Sequence, residues 1–230
     1  MNLPGLKTLC ACAIVTLWPP ALRAQVAASP APIWPDTFVS RMEALALLET
    51  FNAELLTHDS ATLTLEHWCD LHRLAEPPRV VADRIRDADK PLSSDQRREL
   101  GIGPADAVRY RRVRLKCGPV VLSEADNWYV PGRLTAEMNK LLDTTDIPFG
   151  KVVQPLHFQR RTLASKLLWR PLPDGWEMQA AAGGDGTVRL AIPPALLEHR
   201  AVLTLPDGTP FSEVIETYTS SILAFPPPRP

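Results

Sequence analysis

The sequence predicts an α+β domain, an antiparallel sheet with helices packed on one side. Three observations favour this class. An amphipathic helix opens the globular part, later stretches alternate apolar and polar residues as strands do, and two pairs of these stretches are separated only by tight-turn residues. Short turns between neighbouring strands are typical of antiparallel hairpins, so the sheet is predicted to be antiparallel.

The composition is that of a globular protein without an electrostatic preference for nucleic acid. The chain has 230 residues, of which 45% are hydrophobic and 22% are charged. Its formal net charge is -1, so we expect no nucleic-acid partner.

The N-terminus has the pattern of an export signal. Lys7 precedes an apolar run, Thr8–Trp18, that is too short to span a bilayer, and "PPALRAQ" follows with small residues suited to cleavage. We expect a signal peptide at 1–24, cleaved after Ala24 or, as the alternative, after Ala28. The mature protein is then periplasmic or secreted and has no stable membrane span.

Proline-rich composition sets the expected limits of the domain. A Pro/Ala-rich linker is expected at 25–35 and a Pro-rich tail at 225–230, both of which read as extended segments. The domain is expected over 36–224, and we expect it to be a monomer.

The first two elements are predicted to be a helix and a strand. "PDTFVSRMEALALLETFNAELLTHD" has apolar residues at helical spacing, with Asp36 or Thr37 as the N-cap. "ATLTLEHWCDLHRL" alternates Leu63, Leu65 and His67 with polar residues, which predicts a strand.

The middle of the chain is predicted to form a hairpin and a helix. A short strand is expected near Val80. "AVRYRRVRLKC" alternates as a strand, and "PVVLSEADNWYVP" is its expected partner across Cys117 and Gly118. "TAEMNKLLD" is predicted to be a short helix.

The last third contains one ambiguous element and one hairpin. Periodicity leaves "HFQRRTLASKLLWRPL" open between strand and helix, and the glycine-rich "AAGGDGTV" is expected to be a turn. "HRAVLTLPDGTPFSEVIETYTSSILAF" reads as two strands around the turn "PDG".

The mature chain retains two cysteines, Cys69 and Cys117, each at the end of a predicted strand. In an oxidising compartment they could form a disulfide, and two buried free thiols are the alternative. The sequence leaves both possibilities open, because the distance between the residues decides.

Two charged residues are predicted to point into the domain. Residues two apart in a strand share a face, so Arg111 lies on the face of Val113 and Leu115. Glu216 alternates in the same way with apolar neighbours in the last strand. A buried guanidinium is costly without an anion. Arg111 and Glu216 could pair with each other, or they could lie at opposite ends of a small polar ligand.

Five segments, taken in order over about residues 42–222, resemble the chorismate lyase-like family, which includes chorismate lyase and the effector-binding domains of some transcription regulators. No single motif is specific; their order carries the resemblance. The segments are "ALLETFNAELLTHDSATLTLEHW", "YRRVRLKC", "IPFGKVV", "FQRRTL" and "HRAVLTLPDGTPFSEVIETYT".

The resemblance implies a site and a reaction. The family enzyme eliminates pyruvate from chorismate to leave 4-hydroxybenzoate, without metal or organic cofactor. By this resemblance Arg111 binds the ring carboxylate and Glu216 meets the oxygen across the ring, so both are candidate catalytic residues. The remaining candidate substrate-binding residues are Asn52, Phe149, Gly150 and Arg161.

Two substitutions and the location weaken the transfer of activity. Asn52 stands where the enzyme has an apolar methionine, and Phe149 replaces a leucine. Chorismate is made in the cytoplasm, whereas this chain is expected to be exported. Three interpretations stay open: a lyase of the chorismate type, an exported binding module for a small aromatic carboxylic acid, and a fold relic in which Arg111 and Glu216 pair internally.

A metal site is not expected. His67 and His72, with Asp70 between them, would lie on opposite faces of the predicted strand and could not share an ion without a bend.

Overall fold

The computed structural model describes residues 34–227. The predicted signal peptide at 1–24 lies outside the described residues. So do most of the predicted linker at 25–35 and the last three residues of the predicted tail at 225–230. Among the helices of residues 34–227, none is both long and apolar enough to cross a membrane.

The domain is built on one six-stranded sheet in which every pair of neighbouring strands is antiparallel. The order across the sheet is β1-β2-β3-β6-β5-β4. The predicted α+β class is confirmed. The strands are β1 Val80–Ile85, β2 Arg109–Cys117, β3 Val120–Tyr129, β4 Gln159–Leu167, β5 Ala195–Thr204 and β6 Pro210–Thr219.

Five α-helices accompany the sheet within the described part of the chain. They are α1 Phe38–Thr57, α2 Ala61–Leu71, α3 Ser94–Glu99, α4 Ala136–Thr144 and α5 Phe149–Val152. Thr37, one of the two predicted caps, begins α1, since its side chain accepts a hydrogen bond from the Ser40 amide. The segment left open between strand and helix is a strand, β4.

The main core lies between α1, α2 and one face of the sheet, here called the inner face, which carries Val113, Ala125 and Val214. Phe51 of α1 and Trp68 of α2 have their rings 4.8 Å apart, and Phe51 also packs edge-on against Tyr218 of β6. All of these side chains are buried. Burial of this apolar surface holds the two helices on the sheet.

The short helix α3 and the chain before it contact the outer face. Trp128 of β3 donates its indole N–H to the Lys90 carbonyl at 2.8 Å. Arg161 of β4 pairs with Glu99 at the end of α3, at 2.8 Å. The outer face is therefore partly covered, while the two long helices pack on the inner face.

The strand predicted for "ATLTLEHWCDLHRL" is wrong, because this segment forms α2. Its buried apolar residues recur at helical spacing: Ala61, Leu65, Trp68 and Cys69. Leu63, which the alternation placed inside, is 42% exposed. Ser60 caps the helix by accepting from the Leu63 amide at 3.4 Å. Packing of this apolar stripe on the sheet overrides the short-range alternation.

The predicted glycine-rich turn packs against the start of α1. Gly183 has φ +137°, and a Cβ there would lie 2.6 Å from the backbone nitrogen of Phe38. A residue with a side chain would therefore clash with backbone atoms as well as adopt a disfavoured conformation. The turn is a packing feature that holds the N-terminus of α1.

Cys69 and Cys117 form a disulfide, with their Cα atoms 6.5 Å apart. Of the two possibilities that the sequence left open, the disulfide is therefore correct and the pair of free thiols is not. The bond joins the C-terminal half of α2 to the end of β2, and these are two of the elements that surround the cavity described next. Cys69 lies in a helix and not at the end of a strand.

Candidate functional site

A cavity lies on the inner face of the sheet, beneath the start of α2 and the start of α5. The volume that the centre of a water molecule can occupy inside it is about 50 Å³. Its floor is formed by side chains of five strands, β2 to β6, and apolar residues make up much of it. The lining residues used below are Asp59, Ser60, Ala61, Thr62, Arg111, Val113, Ala125, Asn127, Phe149, Gly150, Phe158, Arg160, Val214 and Glu216.

Arg111 is the least satisfied charged group in this cavity. Alternation along β2 turns it inward, and its side chain is buried, with 3% of the residue exposed. Its Nη2 donates to the Ile147 carbonyl at 3.3 Å. Its Nε and Nη1 are buried and have no hydrogen-bond partner within residues 34–227. The predicted inward orientation is confirmed.

The surroundings of Arg111 disfavour its positive charge. Burial, assisted by the nearby positive charge of Arg84, lowers the pKa of Arg111 to about 10. No carboxylate of the described residues forms an ion pair with it. Buried donors without acceptors cost about 1–3 kcal/mol each, and more when charged. An anion bound here would accept hydrogen bonds from the unpartnered donors and compensate the buried positive charge.

Glu216 has a different partner from the one considered from the sequence. Its Oε2 accepts from Arg160 Nη2 at 2.6 Å and from the Tyr218 hydroxyl at 3.1 Å. Burial, reinforced by the negative charge of Glu216, raises the pKa of Tyr218 well above its usual value. Arg111 and Glu216 therefore do not pair with each other, although both line the cavity.

The arginine of "FQRRTL" that reaches the cavity is Arg160, not Arg161. Arg161 lies on the outer face with its side chain 58% exposed, where it pairs with Glu99. The sequence contained one usable signal: Phe158, an apolar lining residue, precedes Arg160 by two positions and so shares its face.

Asn52 lies beside the cavity region without lining it. Its Oδ1 is 2.8 Å from His199 Nε2 and accepts from the Ser165 hydroxyl at 2.9 Å. Burial, with the positive charge of Arg160, lowers the pKa of His199 to about 4. Asn52 therefore contacts a buried neutral histidine, which lies opposite Glu216 in the β5–β6 register, and does not line the cavity where a ligand ring would lie.

Phe149 and Gly150 both line the cavity, as the resemblance implied. The Phe149 ring packs 5.4 Å from the ring of Tyr129 and 6.3 Å from that of Phe211. A Cβ at Gly150 would lie 3.1 Å from Thr62 Oγ1, so the glycine allows α5 to approach the start of α2.

The N-terminus of α2 also borders the cavity, through Asp59, Ser60, Ala61 and Thr62. The sequence interpretation missed this contribution because it assigned a strand here. The first N–H groups of a helix have no partner inside the helix, and its dipole favours an anion at that end. This end of α2 adds a favourable field for negative charge to the one made by Arg111.

Asn127 provides a further polar group on the cavity floor. It lies opposite Arg111 in the β2–β3 register, and its Oδ1 accepts from the Ser212 hydroxyl at 2.6 Å. That bond orients the amide group between β3 and β6. Polar groups therefore frame the apolar floor made by Val113, Ala125 and Val214.

Comparison with known proteins gives one relative with strong sequence similarity. No protein-family model matches the chain. The chain is 55% identical over 196 residues, 85% of its own length and 83% of the other, to the "Uncharacterized protein y4mC" of Sinorhizobium fredii strain NBRC 101917 / NGR234.

Two similar solved structures have low sequence identity and a low TM-score against this chain. PhnF from Mycobacterium smegmatis is 11% identical, covers 76% of this chain and 70% of its own, and has a TM-score of 0.45. The effector binding domain of the trehalose repressor TreR from B. subtilis is 11% identical, with 60% and 89% covered and a TM-score of 0.35. At these TM-scores neither likeness bears on the function of this chain.

Proposed function

This chain belongs to the same family as protein y4mC of Sinorhizobium fredii, and we propose that it binds a small carboxylic acid in the inner-face cavity. The observation that carries the proposal is Arg111, a buried guanidinium with two nitrogens unpartnered among residues 34–227. A carboxylate can accept two parallel hydrogen bonds from one edge of a guanidinium, either from Nε and Nη2 or from Nη1 and Nη2, since Nη2 carries a second N–H. Such a pair of bonds adds both affinity and geometric selectivity. The resemblance to the chorismate lyase-like family, noted above, supports the same assignment.

The apolar floor supports an acid with a hydrocarbon body. Val113, Ala125 and Val214 lie between the two polar ends of the cavity, where they would contact a ring or short chain. A cavity that holds benzene has a volume of about 150 Å³, whereas this one has about 50 Å³. Lining side chains must therefore move to admit an aromatic acid. Phe149 and Phe158 are the aromatic side chains of the lining whose movement would enlarge the cavity.

Substitution of Arg111 tests the proposal. In Arg111→Lys the charge remains but the two-bond geometry is lost, so we expect the affinity for benzoate to fall at least tenfold. Arg114→Lys is the matched control, because Arg114 lies on the same strand with its side chain 47% exposed. Titration calorimetry of both variants gives the comparison. Equal affinity in Arg111→Lys and the native protein would refute the assignment.

Elimination of pyruvate from chorismate is a second candidate function. It is favoured by the presence of Arg111 and Glu216 at the same cavity, the two residues that the family resemblance picks out as catalytic. Incubation of the purified protein with chorismate should then release pyruvate and 4-hydroxybenzoate in equal amounts. Absence of both products at high protein concentration would eliminate this candidate and leave acid binding untouched.

We also propose that the protein acts outside the cytoplasm. The predicted signal peptide supports this location, and so does the disulfide between Cys69 and Cys117, because such bonds persist mainly in oxidising compartments.

A further inference from the structure

We propose that the cavity selects acids with one negative charge over acids with two. The inference rests on the proposed acid-binding function and adds the charge class of the ligand. Three charged side chains with buried ends meet at the cavity: Arg111, Arg160 and Glu216. Their sum is one positive charge, which a single carboxylate neutralises.

Glu216 and Arg160 neutralise each other before any ligand arrives. Their side chains are only 7% and 4% exposed, and 2.6 Å separates the paired oxygen and nitrogen. Water therefore screens neither charge effectively, and the pair cannot separate without leaving a buried ion. The pair therefore adds no net charge that could balance a second carboxylate of the ligand, although the buried Nε of Arg160 has no hydrogen-bond partner among residues 34–227.

The remaining charges near the cavity do not change this balance. Asp59 is exposed at the mouth, where its Oδ1 accepts from the Arg160 amide at 2.9 Å. Arg84 and Asp143 both act on Arg111 from nearby, and their opposite signs offset each other. Solvated charges contribute far less than the buried ones.

The register places Arg111 and Glu216 at opposite ends of the cavity. Arg111 lies opposite Asn127 on β3, and Glu216 lies opposite Ala125, two residues further along. Two strand spacings and two residues give about 12 Å between their Cα atoms. A ligand whose carboxylate meets Arg111 therefore directs its far end toward the Glu216 carboxylate.

The chemistry at that far end follows from the charge of Glu216. A neutral hydroxyl or amide can donate a hydrogen bond to the carboxylate. A second carboxylate would leave the buried groups of the cavity with one uncompensated negative charge. Burial of such a charge is strongly unfavourable, so a second carboxylate should lower the affinity more than tenfold.

The test uses acids of equal size that differ by one charge. The probes are 4-carbamoylbenzoate against terephthalate, and succinamate against succinate, titrated calorimetrically into the native full chain. We expect each half-amide to bind at least tenfold more tightly than its diacid. In Glu216→Gln the cavity gains a positive charge, so the preference should fall at least tenfold or reverse.

Glu213→Gln is the matched control. Glu213 is a second buried glutamate on β6, but it lies on the outer face and pairs with Arg200 at 2.7 Å. This variant should keep the native preference. If it shifts the preference as much as Glu216→Gln does, the effect comes from total charge and the proposal is overturned.

The possible outcomes distinguish a failure of the charge selection from a failure of the proposed acid binding. Equal binding of half-amide and diacid by the native protein overturns the charge selection and leaves acid binding in place. No binding of any of the four acids overturns both. If Glu216→Gln fails to fold, the native preference alone decides.

Discussion

Alternation along β2 turns Arg111 into the domain, but the fold supplies few hydrogen-bond acceptors for its guanidinium. Its buried guanidinium has two nitrogens without partners among residues 34–227. Removing the charge should therefore stabilise the ligand-free protein. We expect Arg111→Met to raise the free energy of unfolding by about 1–3 kcal/mol. Urea unfolding measures this change. The exposed Arg114→Met should change stability little, and a loss of stability in Arg111→Met would contradict the prediction.

The Arg160–Glu216 pair should behave in the opposite way. Removal of either partner leaves an uncompensated buried charge, so Arg160→Met and Glu216→Gln should each destabilise the protein, by about 3–5 kcal/mol at most. A double-mutant cycle measured by denaturant unfolding should give a large coupling energy for this pair. The same cycle for Arg111 and Glu216 should give a coupling energy close to zero. The reverse result would mean that Arg111 is the partner of Glu216.

His199 should make stability depend on pH. Burial and the charge of Arg160 hold its pKa near 4, below the ordinary value of 6.5. Between these values the unfolded chain binds a proton and the folded protein does not. Stability is therefore fully present above about pH 6.5 and falls as the pH drops toward 4, by up to about 1.4 kcal/mol per unit.

Unfolding measured from pH 7.5 to 4.5 checks this dependence. His199→Gln should flatten the slope relative to the native protein. His67→Gln, which alters an exposed residue on α2, should not. A native slope unchanged by His199→Gln would assign the pH dependence to other groups.

Among the elements, α2 both borders the cavity and is covalently tied to a strand of its floor. Its N-terminus borders the cavity, and its other half is tied to β2 by the disulfide between Cys69 and Cys117, 48 residues apart in sequence. Loop-closure entropy for this separation corresponds to about 4 kcal/mol. We expect the double variant Cys69→Ser/Cys117→Ser to lose stability of this order.

Reduction provides the internal control for the disulfide. A thiol reductant should lower the unfolding midpoint of the native protein and leave that of the double variant unchanged. If the native protein unfolds at the same urea concentration with and without reductant, the bond contributes nothing to stability.

At the scale of the whole molecule, we predict export and a single folded unit. The mature chain should begin between Gln25 and Ser29 and be found outside the cytoplasm. Mass spectrometry of the fractionated protein tests this, and full-length protein with Met1 in the cytosolic fraction would contradict it. Limited proteolysis should leave one fragment covering about residues 36–224. Two stable halves would argue against one domain.

Features that depend on alternation and on turn residues could be predicted from local patterns in the sequence. Period-two patterns located the hairpin of β2 and β3 and turned Arg111 and Glu216 inward, because neighbouring side chains in a strand must point to opposite faces. The "PDG" turn likewise located β5 and β6. These rules act over a few residues, so they need no knowledge of the rest of the chain.

Features that depend on distant partners could be identified only from the folded structure. The alternating segment became α2 because its helical stripe, with Leu65 and Trp68, is buried against the sheet. The partner of Glu216 is Arg160 and not Arg111, because the fold brings β4 within reach of β6 across β5. The cysteines form a disulfide because the fold brings two distant residues within bonding range. Each outcome depends on contacts between segments far apart in the chain, which no local pattern encodes.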